Sequence, residues 1–372
     1  MINATIDAKL SLKKLEIHKK KSIKLQIGKD SQTMAKRSSL LKGQGVDMTE
    51  RSEEVYIGDV ITDDGSNNKN IARRRQIGYV SISSIFAILS TVSRGYQYID
   101  VGLIFRESVL ISKMLLSCEA WHKLFRYQIE KLEEVDKAFL RKLLNCHSKT
   151  PIEFMYSDTG CIPLRFIISY RRLMYWWHIT QLDKSELVYR VYAAQKCCPV
   201  NGDWIKLLEA DKQEFGISLS DDEISQMTKY SMKRMLKAKV CEVTSRYLIS
   251  LQSRHSKSAG VTLVAGSVAQ YLTDDRFSQE ERELLFRLRS KTLTVKENFS
   301  HLYYNRSMLC DLCHLFPCTQ KHVMQCPELC SDLVVDKGVR IEEEDVYSDV
   351  EKQLLYVKIF KSFWDLRMKK IG

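Results

Sequence analysis

A mainly α fold is predicted for this chain, with a small β piece near the front, a long helical body, a Cys/His cluster and a helical tail. Three observations predict it. Apolar side chains recur at helical spacing from about residue 71 onward. Five prolines and fifteen glycines in 372 residues leave little room for long unstructured linkers. Period-two alternation is confined to residues 22 to 62.

The elements follow in order. Ser22-Ile23-Lys24-Leu25-Gln26-Ile27 alternates like a strand, residues 29 to 52 are polar and loop-like, and Val55-Tyr56-Ile57-Gly58-Asp59-Val60-Ile61 is a compact β-rich run. Asp63-Asp64-Gly65 closes it as a turn, with Gly65 at positive φ. A first helix is expected over 71 to 92, where Ile77, Val80, Ile82, Ile85, Phe86, Ile88 and Leu89 make one buried stripe behind the basic run Arg73-Arg74-Arg75. A second, over 98 to 124, is strongly apolar with Arg106, Glu107 and Lys113 as its polar interruptions. A third, over 127 to 145, repeats Ile129, Leu132, Val135, Phe139, Leu140, Leu143 and Leu144. Pro151 and Gly160-Cys161-Ile162-Pro163 punctuate the chain, and helices resume over 164 to 182 and 184 to 196. Asp203 is placed to cap a helix entering Trp204, and 227 to 253 is another long helix. An acidic turn at Glu342-Glu343-Glu344-Asp345 precedes an amphipathic helix over 350 to 368.

Chemistry concentrates in Cys310-x2-Cys313-x8-His322-x3-Cys326. A Cys-x2-Cys turn presents two thiolates to one ion, and His322 and Cys326 add an imidazole and a third sulfur. That is the donor set of tetrahedral Zn2+. With all four positions filled by protein, none is left for an activated water, so the ion is structural and the module a binding element of the zinc-knuckle type. Cys318 and Cys330 lie close enough to replace a member of the set. Cys310-Asp311-Leu312-Cys313-His314 also satisfies the C-x-x-C-H pattern of haem attachment, a chemistry that requires export, and Met1 to Lys21 contain no apolar core of signal-peptide length.

Lys and Arg exceed Asp and Glu by 58 to 46, a net +12, and residues 1 to 50 hold eleven Lys/Arg against five Asp/Glu. The mean field therefore favours phosphate. No stretch approaches the roughly 18 uninterrupted apolar residues of a membrane span, and scattered cysteines without an export signal point to a reducing, intracellular setting, nuclear or cytoplasmic. No phosphate-binding loop, H-E-x-x-H, G-x-S-x-G or dinucleotide fingerprint is present.

Several motifs now carry a resemblance. Tyr56-Ile57-Gly58-Asp59-Val60-Ile61, followed by Asp64-Gly65 and the basic helix from Asn70, resembles the end of the palm of a non-LTR retrotransposon reverse transcriptase, where a Tyr-Leu-Gly strand forms the primer grip; Ile57 replaces the Leu. Gly160-Cys161-Ile162-Pro163-Leu164 and Arg171-Arg172-Leu173-Met174-Tyr175 resemble the Gly-x-x-Pro-Leu and Arg-Arg-Leu-x-Tyr patterns downstream of that palm, and Ser185-Glu186-Leu187 to Gly202-Asp203-Trp204 continue the match. A Cys-Cys-His-Cys cluster near the C-terminus is at home in the same family, although its spacing departs from the retroviral 2-4-4 knuckle. The likeness runs from about residue 10 to the end.

The resemblance implies a palm remnant with a primer-grip-like strand over 1 to 66, a thumb-like helical domain over 67 to 182, a helical connection domain over 183 to 305, a knuckle over 306 to 330, and an acidic turn with the last helix over 331 to 372. It implies RNA and/or DNA of the template-primer kind as partner. Arg73, Arg74 and Arg75 become the first-choice phosphate contacts and Arg171 and Arg172 the second. Tyr56 and Gly58 fall in the grip, and Lys21 near the triphosphate of a complete enzyme. Trp176 and Trp177 are either base platforms or core, the latter being the commoner use of aromatics at helical spacing. The family's polymerases hold two Mg2+ on aspartates of an earlier strand and of a Tyr/Phe-x-Asp-Asp hairpin. Neither element is in this sequence, and Asp63-Asp64, Asp221-Asp222 and Asp274-Asp275 lack the aromatic that precedes such a pair. The expectation is a non-enzymatic nucleic-acid-binding fragment. The alternative is a zinc-stabilised helical scaffold for protein partners, in which the basic charge confers only solubility.

Overall fold

The computed structural model describes residues 52–56, 58–92, 97–254, 261, 263–293, 295–298, 307–332, 346–347 and 350–371, with two short strands at Ile23–Lys24 and Thr49–Glu50. Those strands, β1 and β2, pair in parallel. The rest of the predicted strand over 22 to 27, Lys21, Ile57 and the acidic turn at 342 to 345 lie outside the described residues.

The β-rich run is not one strand but a hairpin. Glu53–Tyr56 (β3) and Asp59–Thr62 (β4) pair antiparallel with Tyr56 opposite Asp59, and Gly58 takes φ +87° in the turn before β4. The Asp63-Asp64-Gly65 turn forms as expected, with Gly65 at φ +64° and Asp64 accepting hydrogen bonds from the Thr62 hydroxyl and the Ser66 N–H. Asn70 accepts from the Val60 N–H at 3.2 Å and locks the hairpin to the first helix.

That helix, α1, spans Asn68–Leu89. Its buried face carries Ile71, Arg74, Gly78, Ile82, Ile85, Phe86 and Leu89, whereas Val80 and Ile88 of the expected stripe point outward, 61% and 48% exposed. The expected helix over 98 to 124 stops early. Gln97–Phe105 (α2) runs into a π-helical turn at Arg106–Ile111 and a last turn at Ser112–Met114 (α3); Ser117 then adopts φ +58° and a 3-10 turn follows at Cys118–Ala120. The break brings Cys118, Trp121 and Leu124 into the core. The helix end is satisfied by Arg171, whose Nη1 donates to the Leu115 carbonyl at 2.6 Å.

Arg126–Leu143 (α4) buries Leu132, Val135, Phe139, Leu140 and Leu143 as predicted, together with Glu133 and Asp136. Pro151 and Gly160 do more than punctuate: they bracket a helix, Ile152–Thr159 (α5), with Pro151 at its N-cap and Gly160 in the left-handed conformation at its end. A Cβ at Gly160 would sit 2.6 Å from the Ser267 carbonyl carbon. Backbone cannot yield there as a side-chain tip can, and φ +64° adds strain for any other residue. Gly160→Ala is therefore expected to lower stability by about 2 kcal/mol or more, read as a lower urea midpoint at unchanged slope.

Leu164–Thr180 (α6) is the helix on which two hydrophobic cores meet. Leu164 and Ile168 join a first core built from α1 to α5; Phe166, Leu173, Trp176 and Ile179 join a second. The second core is completed by Leu187–Cys197 (α7), Trp204–Glu214 (α8), Asp221–Ser225 (α9) and Lys229–Gln252 (α10). Asp203 is the N-cap residue of α8 as expected, yet its carboxylate accepts from the Val200 N–H instead of from the helix. Gln270–Thr273 (α11) and Gln279–Arg289 (α12) return to the first core, where Ser278 and Glu281 form a reciprocal cap at the start of α12.

Gln320–Met324 (α13), Pro327–Asp332 (α14) and Val350–Ile371 (α15) close the same core. Tyr356, Val357, Phe360 and Phe363 of α15 pack in it with Leu285, Leu288, Leu312 and Val323. The first core thus crosses the boundaries drawn near residues 183, 306 and 331. Among the described residues, no helix is long and apolar enough to cross a membrane.

Candidate metal centre and basic surface

Cys310, Cys313, His322 and Cys326 converge. Leu309 and Pro317 pair across an antiparallel bridge, the Cys310 N–H donates to the Phe316 carbonyl at 2.7 Å, and the Cys318 N–H donates to the Met308 carbonyl at 2.8 Å. The tight hairpin that results brings the Cys310 and Cys313 sulfurs within 4.8 Å of each other, with His314 at φ +57° in the turn. Thr319 caps α13 by accepting from the His322 N–H at 2.9 Å, which places His322 in the first turn, and Cys326 follows the helix just before Pro327. The four ligand atoms all lie within 4.8 Å of one another, with Cys313 Sγ 3.3 Å from His322 Nε2. Donors on a tetrahedron with bonds of about 2.0–2.3 Å stand about 3.6–3.8 Å apart, so closing on one ion requires shifts of about 1 Å at most. This Cys3His group could hold a metal ion.

The cysteines of the cluster differ in how their surroundings treat a thiolate. The Cys318 thiol and the N–H groups of Cys313 and Leu312 donate to the Cys310 sulfur and hold its pKa down at about 4 against the effect of burial. Burial, then the neighbouring Cys310 charge, pushes Cys326 up to about 12. Cys318 is pushed upward too, first because its proton is held by Cys310. A metal ion entering would displace the remaining thiol protons. Cys318 is buried but stands outside the ligand group, and the Cys330 side chain lies outside the described residues. His314 is exposed and also outside the group, so Cys310 and Cys313 face His322 and Cys326 rather than the partner a haem-attachment motif would give them.

The site is framed by charge. Asp311 pairs with Lys296 at 2.6 Å and with Arg367 of α15 at 2.9 Å, Lys296 also reaches the Leu309 carbonyl, and Gln320 donates to the Leu288 carbonyl of α12. These contacts hold the hairpin between α12 and α15.

The arginines expected to meet phosphate divide sharply. Arg73 is exposed and makes no ion pair among the described residues, and with Glu53, Glu54 and Lys69 it lines an open groove of about 820 Å³ between the hairpin and α1. Arg74 is 3% exposed, pairs with Asp59 at 2.6 Å and donates to the Lys113 carbonyl; it fastens the Gly58 turn to α1. Arg75 is half-buried, pairs with Glu134 at 2.8 Å and lies over the Tyr79 ring. Arg171 caps the end of α3, and Arg172, 3% exposed, pairs with Asp211 at 2.5 Å in the second core. Burial holds Asp211 above the usual carboxylate range in spite of that partner. Trp176 is fully buried in the second core and donates to Asp221 at 3.0 Å, and Trp177 is half-buried against that core and donates to the Met227 carbonyl. Tyr56 is 64% exposed beside the Gly58 turn.

Compared with family models, curated proteins and solved structures, the chain matches none.

The three Asp-Asp pairs stand on separate elements. Asp64 builds its turn, Asp221 accepts from Trp176, Tyr192 and Lys196, and Asp274 holds Arg276. A cationic surface the motif reading passes over lies on α10, whose 24 residues hold six Lys/Arg against the single acid Glu242. The signal was present in composition and carried no motif.

Proposed function

We propose that the chain is a nucleic-acid-binding segment of a non-LTR retrotransposon polyprotein, resembling the template-primer-clamping region of a reverse transcriptase. It binds RNA or DNA without polymerising, and one structural Zn2+ sits on Cys310, Cys313, His322 and Cys326. The observation that carries the reading is Arg73. Its guanidinium is exposed and without an ion pair among the described residues at an open groove, on the helix that follows the grip-like turn, in a chain of net +12. A cation so placed meets a phosphate without first breaking a salt bridge. The non-polymerising part of the reading rests on the sequence, in which no Asp-Asp pair is preceded by the aromatic of a Tyr/Phe-x-Asp-Asp hairpin.

The test combines metal analysis with salt titrations of fluorescent single-stranded RNA and DNA on one preparation. About one zinc per chain and a steep salt dependence are expected. Arg73→Gln is expected to shorten the salt slope by about 0.7 with no change in unfolding midpoint. Arg74→Gln, which strands Asp59 at the hairpin, is expected instead to cost about 3 kcal/mol of stability. A zinc protein indifferent to both oligonucleotides at low salt sinks this reading. It would move the protein-binding scaffold to first place, for which the exposed Leu187, Val188 and Val191 on α7 speak.

A further inference from the structure

We infer that the N-terminal half of α10 is a second nucleic-acid contact, a phosphate-tracking stripe made by Lys229, Lys233, Arg234 and Lys237 with Tyr230 as a stacking platform. The inference rests on the proposed nucleic-acid partner but on none of the residues that suggested it. All five side chains are exposed, Tyr230 to 74%. At about 100° per residue they fall within an arc of about 140°, and from Lys229 to Lys237 the helix rises about 12 Å, the axial span of three to four successive phosphates of one strand.

What sets this stripe apart is the lack of any answering carboxylate. None of its four cations makes an ion pair among the described residues, whereas crowded cations elsewhere are matched across or along helices, as in Arg75 with Glu134, Arg126 with Glu130 and Lys361 with Glu281. Lys229, Lys233 and Lys237 are spaced i, i+4, i+8, an arrangement in which like charges repel and weaken a helix. The flanking acids are already taken, Glu223 by the Ser220 N–H and hydroxyl in the cap of α9 and Glu242 by Lys239. The helix itself is secured by its adjoining face, where Met232, Leu236 and Val240 enter the second core. A rigid, unneutralised cationic arc with an exposed aromatic inside it has the chemistry of a single-strand tracking surface.

The experiment compares the full chain with two variants of equal charge change. One is Lys229→Gln/Lys233→Gln/Arg234→Gln/Lys237→Gln. The control, Lys149→Gln/Lys184→Gln/Arg190→Gln/Lys206→Gln, removes four exposed, unpaired cations from other elements. Gln keeps helix propensity close to that of Lys and Arg, and circular dichroism with a thermal midpoint verifies that both variants fold. In salt titrations with single-stranded oligonucleotides, the stripe variant is expected to flatten the log-log slope by about 3, from four lost contacts at about 0.7 each, and the control by less than about 1. Tyr230→Ala is expected to weaken binding about fivefold or more at unchanged slope. Equal flattening by both variants, or by neither, with wild-type binding intact, overturns the stripe and leaves the proposed function standing. Failure of the wild-type chain to bind removes both.

Discussion

Cys326→Ser is expected to abolish stoichiometric metal binding and to unfold the α12 to α15 part of the first hydrophobic core while leaving the second folded. The physical reason is where the ligands sit. Cys310, Leu312, Val323, Cys326 and Leu329 belong to the same core as Leu285, Leu288, Tyr356, Phe360 and Phe363. The hairpin that carries Cys310 and Cys313 has few backbone bonds of its own, and it is pinned by Asp311 between Lys296 and Arg367. Zinc sites of four protein ligands contribute about 10–16 kcal/mol in small modules. Losing one ligand is expected to cost on the order of 5 kcal/mol here, because α15 provides hydrophobic support that an isolated knuckle lacks. None of the ligands touches the second core, which α6 to α10 build around Trp176, Trp204, Phe215 and Leu236.

Hydrogen exchange read by mass spectrometry separates the two cores directly. In the variant, or in wild-type protein treated with a strong chelator, protection should fall over residues 284–293, 308–329 and 350–363 and persist over 204–248. Restored zinc should rescue the chelated wild type and not the variant. Cys318→Ser is the matched control, since Cys318 is equally buried but outside the ligand group. It is expected to keep one metal per chain. Retention of metal by Cys326→Ser, or its loss from Cys318→Ser, would mean that the ligand set is drawn wrongly.

How much of this was legible in sequence depends on which residues are asked. The helices over 127 to 145, 164 to 182 and 227 to 253 were legible to within a few residues because their apolar periodicity is that of a buried stripe, and the ligand set was legible because Cys-x2-Cys and His-x3-Cys are local spacings. The end of the second helix was not, because Leu115, Leu116 and Cys118 continue an apolar run and nothing local records that Arg171, more than fifty residues away, caps the helix there. The surroundings of the basic residues were not legible for a related reason. Arg73, Arg74 and Arg75 are adjacent in sequence and identical in chemistry, but successive helical positions are about 100° apart, so one faces solvent, one faces Asp59 and one faces Glu134. A run of like residues reports charge and not orientation. The same limit hides α10, where the pattern is a three-dimensional arc with no consensus spacing.

Asp136→Asn is expected to cost about 3–5 kcal/mol, the usual loss when one member of a buried ion pair is removed. Arg106 and Asp136 are both fully buried, joined by two parallel hydrogen bonds from Nε and Nη2 at 2.7 and 2.8 Å. Arg106 looks in sequence like a polar interruption of an apolar helix, yet it sits at the start of the π-helical turn with its remaining donors on Glu107 and the Ile162 carbonyl, while the Tyr156 hydroxyl donates to Asp136. The pair joins three segments, the π turn, α4 and the Gly160-Pro163 connection, at the base of the first core. Neutralising Asp136 leaves a guanidinium that stays charged at any ordinary pH in a space closed to water, and Glu107, 61% exposed, offers it only a partly solvated partner. Replacing both members with apolar residues of similar size, Arg106→Met/Asp136→Leu, is expected to recover part of the loss, because the desolvation cost of the two charges disappears with them. Urea unfolding of the two single variants and the double variant measures the coupling. A loss below about 1 kcal/mol in Asp136→Asn would show that the Arg106 guanidinium is not stranded without Asp136, and that the pair is not what joins the three segments.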